Sequence, residues 1–301
     1  MSFLRQPLNF WLRTVEKRRM RTGDVRTLRR ALEKQSKLFF HPPRGTQSEW
    51  EAFGDVPCLT LMLPQTSPDR YLFYIHGGAF VFGSPDTHSA MVARIAAQIG
   101  AQCVLPRYRL APEHSYPAAP HDVRSAWDGL LASGVSAADI VIGGDSAGGA
   151  LAFGLVAALA AEGAELPGAV FGFSPLADLT FSGPSFAFNA HSDVLLVAGR
   201  ASELAEMFLN AHPANEPLVS PLFADFKGLP PAWLTVGDTE ILLDDSRRLA
   251  DKIRADGAEV ELVITHDLPH VWPIFHNTLP EARGTIDALA QWIRQRQNWE
   301  V

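Results

Sequence analysis

The chain has little cysteine, no long apolar run and no stretch of simple or repeated composition. Only Cys58 and Cys103 occur in 301 residues, without a CxxC pair or metal-type spacing. A disulfide-built scaffold is excluded, and two free buried thiols in a reducing compartment are expected. No apolar run reaches the roughly 18 residues that a membrane-spanning helix needs. The longest candidate, Ala147 to Ala161, is rich in Ala and Gly. The opening MSFLRQPLNFWLRTVEKRRMR lacks the apolar core and small-residue cleavage site of a secretory signal. A cytoplasmic location without stable membrane insertion is therefore expected. HExxH, GxGxxG and a Gly-Lys-Ser/Thr phosphate loop are also absent, so zinc-protease and nucleotide-loop readings have no support. What remains, 47% hydrophobic and 20% charged residues, is the composition of a globular chain.

The net charge of −7 conceals an asymmetry. Residues 1–44 hold 12 of the 26 Lys and Arg but only Glu16, Asp24 and Glu33 of the 33 acids. The apolar residues of this arm, Phe3, Leu4, Leu8, Trp11, Leu12, Val15, then Leu28, Leu32, Leu38 and Phe39, recur at helical spacing. That pattern predicts a pair of amphipathic helices lying on the acidic remainder, with contact to a membrane surface as the alternative. An overall pI near 5.8 gives no support to nucleic-acid binding.

Beyond His41-Pro42-Pro43, short β-branched or aromatic runs alternate with helical patterns. Strands are expected at Cys58–Leu63, Tyr71–Ile75, Gln102–Leu105, Asp139–Ile142, Ala169–Phe173, Ala232–Val236 and Val260–Ile264. Helices are expected near Ser89–Ile99, Pro120–Ala132, Ala147–Glu162, Asp244–Ala255 and Glu281–Arg296. This alternation implies an α/β fold with a mostly parallel sheet covered by helices on both faces. Between Ser174 and Leu229 no strand signal occurs, only a helical stretch at Arg200–Leu209. The expected organisation is cap helices in 1–44, a catalytic body in 45–173 and 230–301, and a cap insertion in 174–229. The cap would cover the carboxyl edge of the sheet, where open α/β folds bind ligands.

Three segments carry chemistry. Gly144-Asp145-Ser146-Ala147-Gly148 follows a strand and opens an Ala-rich helix, the spacing that holds a serine at a sharp strand-to-helix turn. Glycine-rich turns of this kind also cradle phosphates, so the segment alone leaves both readings open. His76-Gly77-Gly78-Ala79-Phe80 follows the strand Tyr71–Ile75 and exposes backbone N–H groups after it. That arrangement suits an oxyanion hole, or a tight turn with a structural histidine. His270 lies beyond the strand Val260–Ile264, with a side chain whose ordinary pKa suits a general base. Nine other histidines share that property.

Together with Tyr108-Arg109-Leu110-Ala111-Pro112-Glu113-His114, these ordered motifs resemble the bacterial hormone-sensitive-lipase-like, or family IV, carboxylesterases of the α/β-hydrolases. The resemblance implies an α/β-hydrolase fold with a helical cap, hydrolysis of short- to medium-chain carboxylic esters, no metal or other cofactor, and often a homodimer. It casts Ser146 as nucleophile, His270 as base, and the N–H groups of Gly78, Ala79 and Ala147 as oxyanion donors. Ala79 departs from the family's usual glycine, which would narrow the alcohol side of the pocket. The family's acid lies in Asp-x-Leu-x-Asp. Keeping Leu242 and Asp244 in that register puts Glu240 at the catalytic position. Asp238, also just past a strand end, is the alternative, while Asp244 and Asp245 are expected to offset a helix dipole. Asp145 is expected to anchor the serine turn, and Tyr108–His114 to fix a loop behind it. Lactones, aryl esters and amides remain neighbouring substrates, and a catalytically inert receptor is the rival from another class.

Overall fold

The computed structural model describes residues 2–300. Eight strands form one sheet: β1 Gln47–Phe53, β2 Val56–Met62, β3 Tyr71–Ile75, β4 Gln102–Pro106, β5 Ile140–Asp145, β6 Ala169–Phe173, β7 Ala232–Gly237 and β8 Val260–Thr265. Their spatial order is β1-β2-β4-β3-β5-β6-β7-β8. The β1–β2 and β2–β4 pairings are antiparallel and the other five parallel. All seven anticipated strands are present. β1 was not anticipated, because Gln47-Ser48-Glu49-Trp50-Glu51 is a polar edge strand, exposed on both faces, with no core pattern to read.

The helices are α1 Arg5–Trp11, α2 Lys17–Thr22, α3 Val25–Phe39, α4 Pro85–Ile99, α5 Ala118–Ala132, α6 Ala147–Glu162, α7 Ser185–Phe188, α8 Ala198–Leu209, α9 Leu243–Ala255 and α10 Pro280–Gln297. β5, β6 and β7 are buried throughout and β3 nearly so, which explains their unbroken apolar sequences. Alternation still sorts the side chains. Phe73 and Ile75 of β3 join the core beneath α5, α6 and α9, whereas Leu72 and Tyr74 join the core beneath α4 and α10. Full burial of a Phe- or Leu-sized side chain contributes about 1.5–3 kcal/mol, so these two layers supply most of the driving force. Cys58 and Cys103 fall in opposite layers as free buried thiols. Burial pushes the Cys58 thiol up to about 12.

The arm forms the expected helical pair. α1 runs through a π-helical turn, Leu12–Glu16, into α2, and α3 begins at Asp24, whose carboxylate accepts the Thr27 N–H. Its apolar face is narrower than the spacing suggests. Phe3, Leu4, Val15, Leu38 and Phe39 are exposed, and of these only Val15 lies in the π turn, which locally rotates the pattern. Residues 174–229 carry no strand, and contain α7 and α8. No helix among the described residues is long and apolar enough to cross a membrane.

Candidate active site

β5 continues through Gly143 and Gly144 to Asp145, and the chain turns at Ser146 directly into α6. Ser146 has φ 51° and ψ −122°, a strained conformation for a residue with a side chain. Glycine is required on both sides of it. A Cβ on Gly144 would lie 2.4 Å from the Gly148 carbonyl oxygen, and one on Gly148 would lie 2.0 Å from that of Ile75. The turn can be this tight only because those methyl positions are empty.

The loop after β3 faces it. Gly78, Ala79 and Phe80 all have positive φ, at 118°, 52° and 62°. The Gly78 carbonyl accepts the N–H groups of Val81 and Phe82, folding the loop back on itself. The N–H groups of Gly78 and Ala79 donate to no protein group among the described residues. Ala147 is the first residue of α6, so its N–H also has no partner within the helix. Gly78, Ala79, Ser146 and His270 line a single cavity of about 470 Å³, and Ala147 lies buried just behind it.

Asp145 ties the two loops together. Its carboxylate accepts from Tyr74 Oη at 2.9 Å and the Gly77 N–H at 3.0 Å, and His88 Nε2 lies 3.3 Å away. Burial opposes ionisation of Asp145, but His88 and these donors outweigh it and lower its pKa. Tyr108 stacks on His76 with ring centroids 4.2 Å apart and donates to the His76 carbonyl, so the Tyr108–His114 stretch does buttress the loop from behind.

His270 Nδ1 sits 2.6 Å from Glu240 Oε2, both side chains being buried. The other carboxylate oxygen accepts the Gly237 N–H at 2.6 Å and the Ser174 hydroxyl at 2.8 Å. Ser174 also accepts the N–H of Val271, a β-branched residue at φ 52° that strains the backbone next to His270. Burial alone would depress the His270 pKa. The Glu240 carboxylate, reinforced by Asp193 and Asp145, overrides that and raises it above the ordinary 6.5.

Asp238 points elsewhere: it accepts the Asp267 N–H and meets His266 Nδ1 at 2.7 Å near the surface. Asp244 and Asp245 do lie in the first turn of α9, but their carboxylates are not surface charges facing a dipole. Asp244 accepts the Ser185 N–H, and buried Asp245 accepts those of Ala177 and Asp178, pinning the segment after β6. Burial pushes the Asp245 pKa up to about 7.

Three participants had no sequence signal: Ser174, His88 and Asp193. Asp193 is fully buried and accepts N–H groups from Leu195, Leu196 and Ile241, joining the cavity wall to the turn that bears Glu240. Burial and the nearby Glu240 charge raise its pKa. The rest of the cavity is mostly apolar, walled by Leu8, Trp11, Leu12 and Leu28 of the arm and by Leu195 and Leu196, with Glu16, Arg19 and Gln35 as the arm's polar contribution. Among the described residues no group of three or more His, Cys, Asp or Glu is placed to hold a metal ion.

A family model described as alpha/beta hydrolase fold matches residues 72–274. An acetyl-hydrolase of Streptomyces hygroscopicus is 34% identical over 231 residues, 77% of each chain. An esterase of Acinetobacter venetianus is 34% identical over 229 residues, 76% of each. The crystal structure of an esterase from the bacterial hormone-sensitive lipase family superposes with a TM-score of 0.93 at 33% identity, covering 99% of both chains. By sequence and by fold, the chain belongs to the bacterial hormone-sensitive lipase family of α/β-hydrolases.

Proposed function

We propose that this protein is a carboxylesterase that works through a serine acyl-enzyme, with Ser146 as nucleophile, His270 as base and Glu240 as the acid of the triad. The carrying observation is that His270, hydrogen-bonded to buried Glu240, lines one cavity with a serine held in a strained strand-to-helix turn. The relatives named acetyl-hydrolase and esterase support the same reaction.

In this reading Ser146 Oγ attacks the ester carbonyl while His270 Nε2 takes its proton. Glu240 holds the Nδ1–H tautomer and stabilises the imidazolium. The carbonyl oxygen, now an anion, is met by the N–H groups of Gly78, Ala79 and Ala147. Collapse breaks the C–O bond as His270 protonates the departing alcohol. Water then enters and attacks the acyl carbon as it loses a proton to His270. His270 returns that proton to Ser146 Oγ as the acyl C–O bond breaks and the carboxylic acid leaves. The mostly apolar walls and limited volume favour an acyl chain of short to medium length. The charges of Glu16 and Arg19 on the arm's wall are paired with each other.

The arm and residues 174–229 act as the cap of the catalytic body formed by 45–173 and 230–301. Supporting this, Arg13 donates to the Ser192 carbonyl at 3.2 Å, Lys17 to that of Ala190 at 3.0 Å, and Arg200 to that of Gly23 at 2.8 Å. A fluorophosphonate probe tests the chemistry. Wild type should be labelled once and Ser146→Ala not at all, with kcat down by roughly 10⁴–10⁶. Labelling of folded Ser146→Ala, or activity within tenfold of wild type, would refute the assignment.

A further inference from the structure

The outer surface of the arm is unlike the rest of the molecule. Six of the ten exposed large hydrophobic side chains among the described residues lie between residues 3 and 39, so the exposure is concentrated there. Phe3 is 98% exposed, Phe10 71% and Leu38 62%. Phe3 lies in the turn that leads into α1, and Phe10 lies near the end of α1. Trp11 packs edge-on against Phe39 at 6.4 Å, which brings the end of α3, with Leu38 and Phe39, beside α1. Phe39 also lines the cavity, so this apolar rim borders the active-site mouth.

The exposed charge on α3 is predominantly basic. Arg26, Arg30, Lys34 and Lys37 fall within an 80° sector of α3 at 100° per residue, and all are exposed. Arg30, Lys34 and Lys37 meet no acid among the described residues. The three acids of the arm are all engaged. Asp24 caps α3, Glu33 accepts from Ser84 of the catalytic body, and Glu16 binds Arg19 and Gln35 at the cavity wall. The outward face therefore keeps only cations beside bare aromatic and aliphatic side chains.

Exposed apolar side chains next to a purely basic stripe, on helices lying along the surface, are complementary to an anionic lipid surface. We infer that the arm docks the enzyme onto anionic lipid assemblies, with Phe3, Phe10 and Leu38 entering the headgroup layer and Arg26, Arg30, Lys34 and Lys37 facing its charge. The geometry brings the cavity mouth to the layer, so that an ester partitioned into lipid enters between α1 and α3. Binding needs no turnover, so its failure leaves the esterase assignment standing, and failure of that assignment leaves the docking readout intact.

The test is cosedimentation of the full chain with vesicles of phosphatidylcholine alone or mixed with phosphatidylglycerol, at low and high salt. Wild type should bind the anionic vesicles, lose binding as salt rises, and bind phosphatidylcholine weakly. Each basic residue near such a surface is worth about fivefold, so Arg30→Gln/Lys34→Gln/Lys37→Gln should cut partitioning about a hundredfold. Phe3→Ser/Phe10→Ser should cut it about tenfold or more at every salt concentration. None of these five residues lines the cavity, so hydrolysis of a dissolved short-chain ester should be unchanged, which also reports folding. Absence of binding to anionic vesicles at low salt, or equal binding by wild type and both variants, would overturn the inference. So would a dimer in sedimentation velocity that the same substitutions dissolve while vesicle binding is absent, because the face would then be a subunit interface.

Discussion

Replacing Glu240 by glutamine tests the triad at its most constrained point, because the surroundings dictate how the amide must sit. Glu240 Oε1 accepts the Gly237 N–H, a backbone group that can only donate. Turning the amide nitrogen toward it would set donor against donor and orphan a buried N–H, a cost of about 1–3 kcal/mol. The amide oxygen therefore keeps the Oε1 position, and the NH₂ group faces His270 Nδ1, where Oε2 stood at 2.6 Å. Nδ1 must then accept, which moves the ring proton to Nε2, the atom that has to receive the Ser146 proton. The base is held in the wrong tautomer. An amide in place of the acid with geometry otherwise intact costs about 10⁴ in kcat, or about 5.5 kcal/mol at 1.36 kcal/mol per decade. Asp238→Asn disturbs only a partly exposed contact with His266 and one N–H, and should change kcat by less than about threefold. The assay is kcat for a p-nitrophenyl ester at equal folded fraction, checked by thermal melts. A severe Asp238→Asn beside a mild Glu240→Gln would refute the reasoning and transfer the acid's role to Asp238.

Two further predictions concern the surroundings of the pair. Because Glu240 raises the His270 pKa against the pull of burial, kcat/KM should climb with pH through an inflection above 6.5, as the base becomes neutral. In Glu240→Gln the residual activity should show that inflection shifted downward, and an unshifted profile would contradict the coupling. The linked stability runs the other way: a raised folded pKa makes the pair's contribution complete below about 6.5 and removes it as pH rises through the folded value. Asp193→Asn leaves one of three buried N–H groups facing an amide donor, so denaturant unfolding should show a loss of about 1–3 kcal/mol. The same variant should raise KM more than it lowers kcat, because Leu195 and Leu196 form the cavity wall. An unchanged KM would count against that account.

The division between what the chain discloses and what it hides follows from where each signal is stored. A central strand such as β6, Ala169–Phe173, is buried on both faces, so burial dictates each residue and the strand can be read locally. β1 is specified by a partner, β2, that leaves no pattern in its own residues. The serine turn is legible because its glycines sit at a fixed spacing around Ser146. Only Gly144 answers a local demand, from Gly148, while Gly148 answers one from the distant Ile75 carbonyl. The acid is different. Glu240 and Asp238 both lie just past β7, and no local rule separates them. They are distinguished by Ser174, 66 positions upstream, and by the fold of the turn that aims the Gly237 N–H at Glu240. Asp193 and His88 are less legible still, because each works through groups 48 and 57 positions away, Ile241 and Asp145, with no fixed spacing to betray it. The arm reverses the usual inference. Helical spacing suggested that Phe3 and Leu38 face inward, and only the packed structure leaves them in solvent beside a basic stripe. Hydrophobic periodicity reports that a face is apolar and says nothing of what covers it. On this chain the uncovered apolar face and the unpaired cations occupy the same helices, which makes the arm the place where sequence and fold together point outside the molecule.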